Sequence, residues 1–203
     1  MDRVITYIDG FNLYFGLKSS RWQRYYWLNL QLLSQNLLKP GQQLIYTKYF
    51  TSRIANPTDK RIRQTVYLEA LGTLPHFSIT YGKYQHNLHT CPKCGNVEII
   101  PSEKMTDVNI AVELLGDAYE NKFDTALLIS ADSDLTTPVQ KVRQLSSKKR
   151  VISVFPPNRV SKNLEKVAVA AFQLGRATIS KSLFPDEVRK ADGYILKRPE
   201  KWQ

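Results

Sequence analysis

Residues 4–8 (VITYI) and 126–129 (ALLI) are apolar at almost every position and stop abruptly at polar residues. A strand with one wet face alternates apolar and polar side chains. A run without that alternation is covered on both faces, as in parallel sheets wrapped by helices. The rest of the chain fits such a sheet. Residues 44–50, 77–84 and 151–155 read as three further strands. Helical patterns run over 11–18, 57–71, 107–119, 134–145 and 161–172. Another follows Asn29, a capping residue, with Leu30, Leu33, Leu37 and Leu38 on one face and Pro40-Gly41 as its stop. Alternating strand and helix predict an α/β fold with a mainly parallel sheet of about five strands. The expected buried stripe of the 57–71 helix is Ile62, Val66 and Leu68 or Leu71. That of the 107–119 helix is Val108, Ala111, Val112, Leu115 and Ala118. Residues 86–101 read as a loop, and the aromatic stretch 22–28 resists assignment.

A length of 203 residues fits one domain with a small insertion, and 42% hydrophobic residues can fill a core. No apolar run approaches the roughly 18 residues needed to span a bilayer. Met1-Asp2-Arg3 leads straight into a strand, without the layout of a signal peptide. A cytoplasmic protein with no membrane partner is the expectation. The net charge is +11. Such an excess favours a polyanionic partner, nucleic acid or an acidic surface, although an inert basic surface has the same charge. Two cysteines three apart exclude a disulfide framework.

In a parallel sheet, sites form at the carboxyl ends of the strands. Asp9 directly follows the first apolar run, and Asp132 and Asp134 follow the second, within SADSD. Asp107 opens the helix that precedes the second run. If those two runs are neighbouring strands, the carboxylates converge on one edge. Crowded carboxylates repel each other, and desolvation adds to the cost. A divalent cation relieves both. Mg²⁺ and Mn²⁺ prefer oxygen ligands, and such an ion can polarise a phosphoryl oxygen and generate a hydroxide nucleophile. Each aspartate also has a plainer use. Asp9-Gly10 suits a turn, Asp107 the acidic first turn of a helix, and Asp134 an N-cap, with Asp132 in the same loop. Taken together, the positions favour a site for Asp9, Asp107 and Asp132, whereas a cap accounts fully for Asp134.

Three segments, YIDGFNLYFGL, EKMTDVNIAVELLGDA and FDTALLISADSDLTTPV, resemble in order the signature blocks of the NYN-domain family, its LabA-like branch in particular. That family belongs to the PIN-like nuclease superfamily, and the similarity covers roughly residues 3 to 175. The resemblance implies a PIN-like three-layer sandwich over residues 1–180, with 181–203 as an extension packed on it. It implies metal-dependent cleavage of RNA. Asp9, Asp107 and Asp132 would be ligands of Mg²⁺ or Mn²⁺, and Asp134 a ligand or a group supporting one. Asn12 and Ser130 would hydrogen-bond a metal-bound water or a phosphate oxygen, and Lys104 would contact the phosphate. A helix-start cap for Asn12 and a solvated loop position for Lys104 are equally open. The third block continues into Leu135, where an aromatic is commoner, a change of packing alone.

Cys91-Pro92-Lys93-Cys94 has the spacing of half a zinc site. His86 and His89 lie just upstream, so that residues 86–101 would form a zinc-knuckle loop on four ligands, and a site shared between two chains is a further option. Two free cysteines are the alternative. Such a zinc would be structural. Basic clusters at Lys60, Arg61 and Arg63, at Lys148, Lys149 and Arg150, and at Arg159, Lys162 and Lys166 could follow a phosphate backbone or be solvated faces. Tyr14, Phe15, Trp22 and Tyr25 could stack on bases, but core or interface positions suit them better. The stretch around Trp22 offers a surface on which two copies could pair.

The reading that follows is a metal-dependent phosphodiester hydrolase, an endoribonuclease acting on single-stranded RNA. RNA is preferred over DNA on the resemblance alone. A non-catalytic nucleic-acid-binding or regulatory module on the same fold is the alternative. A phosphatase-like hydrolase is weak, because its usual pair of acids two apart after the first strand is missing: Asp9 is followed by Gly10 and Phe11.

Overall fold

The computed structural model describes residues 1–54, 56–90, 92 and 94–203, and along 84–90 and 98–103 the backbone course alone. The chain runs β1 (Asp2–Asp9), α1 (Gly10–Ser19), α2 (Leu30–Asn36), β2 (Gln42–Thr51), α3 (Thr58–Leu71), β3 (Phe77–Tyr81), β4 (Lys83–Thr90), β5 (Val97–Lys104), α4 (Thr106–Tyr119) and β6 (Thr125–Ile129). It continues through α5 (Thr136–Leu145), β7 (Arg150–Phe155), α6 (Lys162–Val167), β8 (Ala170–Gln173), α7 (Arg176–Ser180), β9 (Glu187–Arg189) and β10 (Ile195–Lys197). Six strands form the main sheet in the order β3-β2-β1-β6-β7-β8. Every neighbouring pair in it is parallel.

The apolar runs explain the layers. All five residues of β6 are buried. Val4 and Ile8 of β1 face a cluster with Leu13, Leu17, Leu33 and Leu71, from α1, α2 and α3. Ile5 and Tyr7 face the opposite cluster, with Ile110, Leu114, Val139 and Leu164 from α4, α5 and α6. Helices therefore cover both faces, giving an α/β/α sandwich. The sheet grows from β1 through β2 to β3, then restarts on the other side of β1 with β6. The order reverses between β1 and β6, and in such sheets the crevice at that reversal is where ligands bind.

Several expectations need correction. The sheet has six strands, not about five. The helix expected over 161–172 ends at Val167, and β8 follows as an edge strand paired with β7. Small and β-branched residues at 167–171 fit either state, and pairing with β7 decides. Residues 86–90 and 97–101, expected within a loop, lie in β4 and β5, which pair as an antiparallel hairpin. In α3, Ile62 is exposed, and Leu68, Ala70 and Leu71 carry the burial. In α4 the expected stripe holds only in part: Ala118 is buried and Leu115 packs against the core, but Val108 and Val112 are exposed, and Ile110, Leu114 and Asp117 are buried instead. The buried face includes a charge, satisfied by Tyr7 and Lys48, and apolar periodicity does not anticipate that.

The stretch 22–28 is core: Tyr25, Trp27 and Leu28 are buried, and Trp27 Nε1 donates to Pro185 O at 2.8 Å. Residues beyond 180 share that core, for Phe184, Val188 and Leu196 lie in the same cluster as Val4. Among the described residues, no helix is long and apolar enough to cross a membrane.

Candidate active site

Asp9 is the last residue of β1 and the N-cap of α1. Its Oδ1 accepts from the backbone N–H of Asn12 at 3.0 Å. Its Oδ2 accepts from Asn12 Nδ2 at 2.7 Å and from Ser130 Oγ at 2.8 Å. A carboxylate is favoured at the amino end of a helix, where unpaired N–H groups carry partial positive charge. Ile8 pairs with Ile129 in register, so Asp9 and Ser130 leave the sheet side by side. Ser130 Oγ also accepts from the Asp132 N–H at 3.0 Å, and Asn12 Oδ1 accepts from the Ala131 N–H at 3.3 Å. One hydrogen-bonded network thus spans the reversal between β1 and β6.

Burial pushes the Asp9 carboxyl above the ordinary carboxylate range, and the nearby negative charge of Asp132 adds to the rise. Hydrogen bonds from Asn12 and Ser130 pull it down without cancelling that effect. Asp9 is only 2% exposed. Its ionised form is therefore under-compensated, and a cation shared with Asp132 would correct the imbalance.

The other expected site residues are placed less closely. Asp132 caps a 3₁₀ turn, Ser133–Leu135, by accepting from the Asp134 N–H at 3.0 Å. The cap foreseen at Asp134 is therefore Asp132, and Asp134 is exposed. Asn12 is not a cap either: it is buried and braces Asp9. Asp107 lies in the first turn of α4. Past Tyr119 the chain reaches Asp124, whose N–H donates to Arg3 O at 2.9 Å. That contact fixes the end of α4 at the amino edge of the sheet. Spanning about 21 Å, the helix therefore begins at the carboxyl edge, where it packs on the Ser133–Leu135 turn. Asp107 is brought to the edge that holds Asp9. Lys104 ends β5 and is exposed, one residue before Met105, whose φ of 77° turns the chain into α4.

Among the described residues, no group of three or more His, Cys, Asp or Glu side chains stands ready to hold an ion. A closed four-carboxylate cage, as the sequence led us to expect, is not preformed. The donors that do meet are oxygens, partly buried and negatively charged. They suit a hard divalent cation, and Mg²⁺ commonly takes one or two carboxylates and completes its shell with waters and substrate phosphates. Of the zinc ligands expected from sequence, Cys91 and the side chains of His86 and His89 lie outside the described residues, and Cys94 is exposed.

Sequence reasoning missed the surroundings of Asp9. Gly10 is not a turn residue but the first residue of α1. A Cβ there would lie 2.7 Å from both Phe50 O and the Tyr49 hydroxyl. Burial, reinforced by the charge of Asp9, pushes the Tyr49 hydroxyl up to about 12, despite a hydrogen bond with Thr51. Gly10 and Tyr49 both line a cavity of 460 Å³ that reaches Trp202 near the end of the chain. The only signal for this in the sequence was the density of aromatics around residues 11–27, which did not say what they surround. Of the basic clusters, Lys149 is buried against Phe123 O and Asn121, and Arg150 pairs with Asp2.

Similarity to known proteins bears on the fold and the family. A solved structure of a protein of unknown function, VPA0982 from Vibrio parahaemolyticus, superposes with a TM-score of 0.57 at 16% identity. The match covers 90% of this chain and 96% of that one, and it bears on the fold alone. The 6-hydroxy-3-succinoylpyridine 3-monooxygenase HspA of Pseudomonas putida is 27% identical over 175 residues, 70% of this chain. This chain spans about half of that relative, 55% of its length. The family model of the NYN domain matches residues 3–174, which takes in Asp9, Asp107 and Asp132 and the whole six-stranded sheet. The chain belongs to the NYN-domain family, whose members are generally metal-dependent nucleases.

Proposed function

We propose that the protein is a metal-dependent phosphodiester hydrolase that cuts single-stranded RNA internally. One observation carries the reading: a buried carboxylate, Asp9, held by Ser130 and Asn12 beside Asp132, at the reversal of the sheet. A net charge of +11 around an acidic centre adds to it, since a basic surface draws in a phosphate backbone.

In this reading Asp9 and Asp132 hold Mg²⁺ or Mn²⁺, Asp107 approaches from α4, and Asp134 is a ligand or supports one. The ion would polarise the scissile phosphoryl group and lower the pKa of a bound water. The residues of the chain position these groups. Ser130 donates to Asp9 and accepts from the Asp132 backbone, so one hydroxyl fixes the spacing of the two acids. Asn12 locks the Asp9 carboxylate in its plane. Lys104 lies in the approach to Asp107 and contacts a phosphate. A structural zinc on Cys91, Cys94, His86 and His89 would brace the hairpin that delivers Lys104, and elemental analysis of purified protein tests it: a metal-free, folded sample removes the zinc.

The test of the main reading is cleavage of single-stranded RNA and DNA with Mg²⁺ or Mn²⁺, by wild type, Asp9→Asn and Asp132→Asn. Each substitution is expected to lower the rate roughly 10³-fold, because several kcal/mol of charge stabilisation goes with the ion. Cutting that survives Asp9→Asn would place the activity elsewhere. The absence of a preformed three-acid group among the described residues favours a second reading, a module that binds RNA without cutting it. Metal-independent binding with no cleavage under any of these conditions would establish that one instead.

A further inference from the structure

The cavity next to Asp9 has no part in the hydrolysis outlined above. It measures 460 Å³, within the usual range for small-ligand sites. Seven of its 21 described lining residues are aromatic. Tyr14 and Tyr26 lie with ring centroids 5.0 Å apart, and Tyr26 meets Trp202 edge-on at 5.7 Å. Tyr14 is 36% exposed, so one ring of this group remains accessible. The inner walls are held in place: Tyr67 donates to Leu28 O at 2.9 Å, and Gln64 bonds both Ser52 O and the Ile54 N–H.

The charge of the lining is one-sided. Lys18, Lys60, Arg63 and Lys201 contribute to it, and among the described residues no aspartate or glutamate does. Arg63 and Lys201 share Asp59. Among the described residues neither Lys18 nor Lys60 has a carboxylate partner. A site with flat π surfaces inside and uncompensated cations around it selects a flat ring attached to an anion.

Continuity says which ring. Gly10 follows Asp9 in the chain and lines the cavity, and so does Tyr49, which pairs with Ile8 across the sheet and whose hydroxyl lies 2.7 Å from where a Cβ on Gly10 would sit. An anion held at the carboxylate centre and a ring held in the cavity therefore belong to one molecule that spans both.

We propose that this cavity is a nucleobase subsite. It takes one base of a single-stranded RNA against Tyr14 while Lys18 and Lys60 hold the phosphate beside it. Its role is to set the register of the strand over Asp9 and Asp132. Stacking tolerates every base because each has a π face, so the subsite positions the strand without reading its sequence. The inference deepens the nuclease reading and takes the identity of its ligand from that reading.

The test measures binding in EDTA, which separates the cavity from metal-dependent chemistry. The probes are fluorescein-labelled hexauridylate, the same ribose-phosphate hexamer lacking all bases, and unlabelled uridine 5′-monophosphate as competitor. Wild type should bind the base-bearing hexamer roughly tenfold more tightly than the abasic one. Tyr14→Ala should erase that preference and Tyr14→Phe should keep it. Lys60→Ala should weaken both hexamers alike, because phosphate contacts do not sense the base. Equal binding of the two hexamers by wild type, or a preference that survives Tyr14→Ala, overturns the subsite. A mononucleotide that binds as tightly as the hexamer overturns the strand assignment. Cleavage with Mn²⁺ is scored separately. If Asp9→Asn and wild type are both inactive while the Tyr14-dependent preference persists, the hydrolase reading fails and the subsite stands.

Discussion

Ser130 carries no charge, yet it sets how Asp9 and Asp132 stand to each other. It is fully buried, and its hydroxyl has both a partner to donate to and a partner to accept from. Ser130→Ala would leave a buried N–H and a buried carboxylate each short of one partner. We expect a loss of about 1–3 kcal/mol in urea melts. Cleavage should fall about 10–100-fold, the usual effect of removing a group that orients a metal ligand. Gly10 is constrained in a different way. Gly10→Ala sets a methyl against the backbone oxygen of Phe50, which cannot swing aside as a side chain can. A loss of about 1–3 kcal/mol is expected in the same melts. At this scale the sequence was informative about charge and poor about support. Aspartates after apolar runs stand out because a strand end is the only place such a sheet exposes them. The hold of Ser130 on Asp9 and the tight contact at Gly10 depend on pairing between β1, β2 and β6, which no local pattern records, whereas the brace at Asn12 and the cap at Asp132 are made within two or three residues.

Among the elements, α4 has the most to position, since its first turn carries Asp107. Its far end is fixed by Asp117. Tyr7 donates to that carboxylate at 2.7 Å, and Lys48 and Lys122 pair with it. Burial alone would push Asp117 up, but the hydrogen bonds from Lys48 and Tyr7 outweigh it and hold the carboxyl below its usual range. A carboxyl with a lowered folded-state pKa binds fewer protons in the folded state than in the unfolded one. Its stabilisation is present above the unfolded value, about 3.9, and is lost as the pH falls through the folded one. Thermal melts between pH 3 and 7 should therefore show a shallower acid limb for Asp117→Asn than for wild type. Asp117→Ala leaves the buried Tyr7 hydroxyl without its acceptor and Lys48 with Glu113 alone, and should cost about 1–3 kcal/mol at pH 7. This anchor is also why the expected face of α4 was right at Ala118 and wrong at Val108 and Val112. Val108 and Val112 made an apolar stripe with no charge in it, whereas the stripe that packs includes Asp117. Strands β4 and β5 were missed because their sequences, KYQHNLHT and VEIIPSEK, do not alternate apolar and polar residues regularly enough to mark a period of two.

For the whole molecule, the strand-and-helix alternation was enough to predict the layers, and the reversal between β1 and β6 followed once those two strands were neighbours. The part that could not be read was the far end of the chain. Residues after 180 have little periodicity, yet Trp202 packs against Tyr26, Trp27 and Tyr67. Arg198 ties that segment to Arg24 and Asp186. Trp202→Ala should lower stability by about 2–4 kcal/mol in urea melts and weaken hexauridylate more than the abasic hexamer. The charge of +11 belongs to the same scale. RNA affinity should fall steeply as salt rises, with a log–log slope that drops by about 0.7 for each lysine removed from the contact. The lining of the proposed base cavity thus begins with the tenth residue and takes in the two-hundred-and-second. During translation the early part emerges first and waits for the late one. A half-made chain on the ribosome, surrounded by messenger RNA, already has Tyr14, Lys18 and Lys60 but lacks the Trp202 wall that completes the cavity.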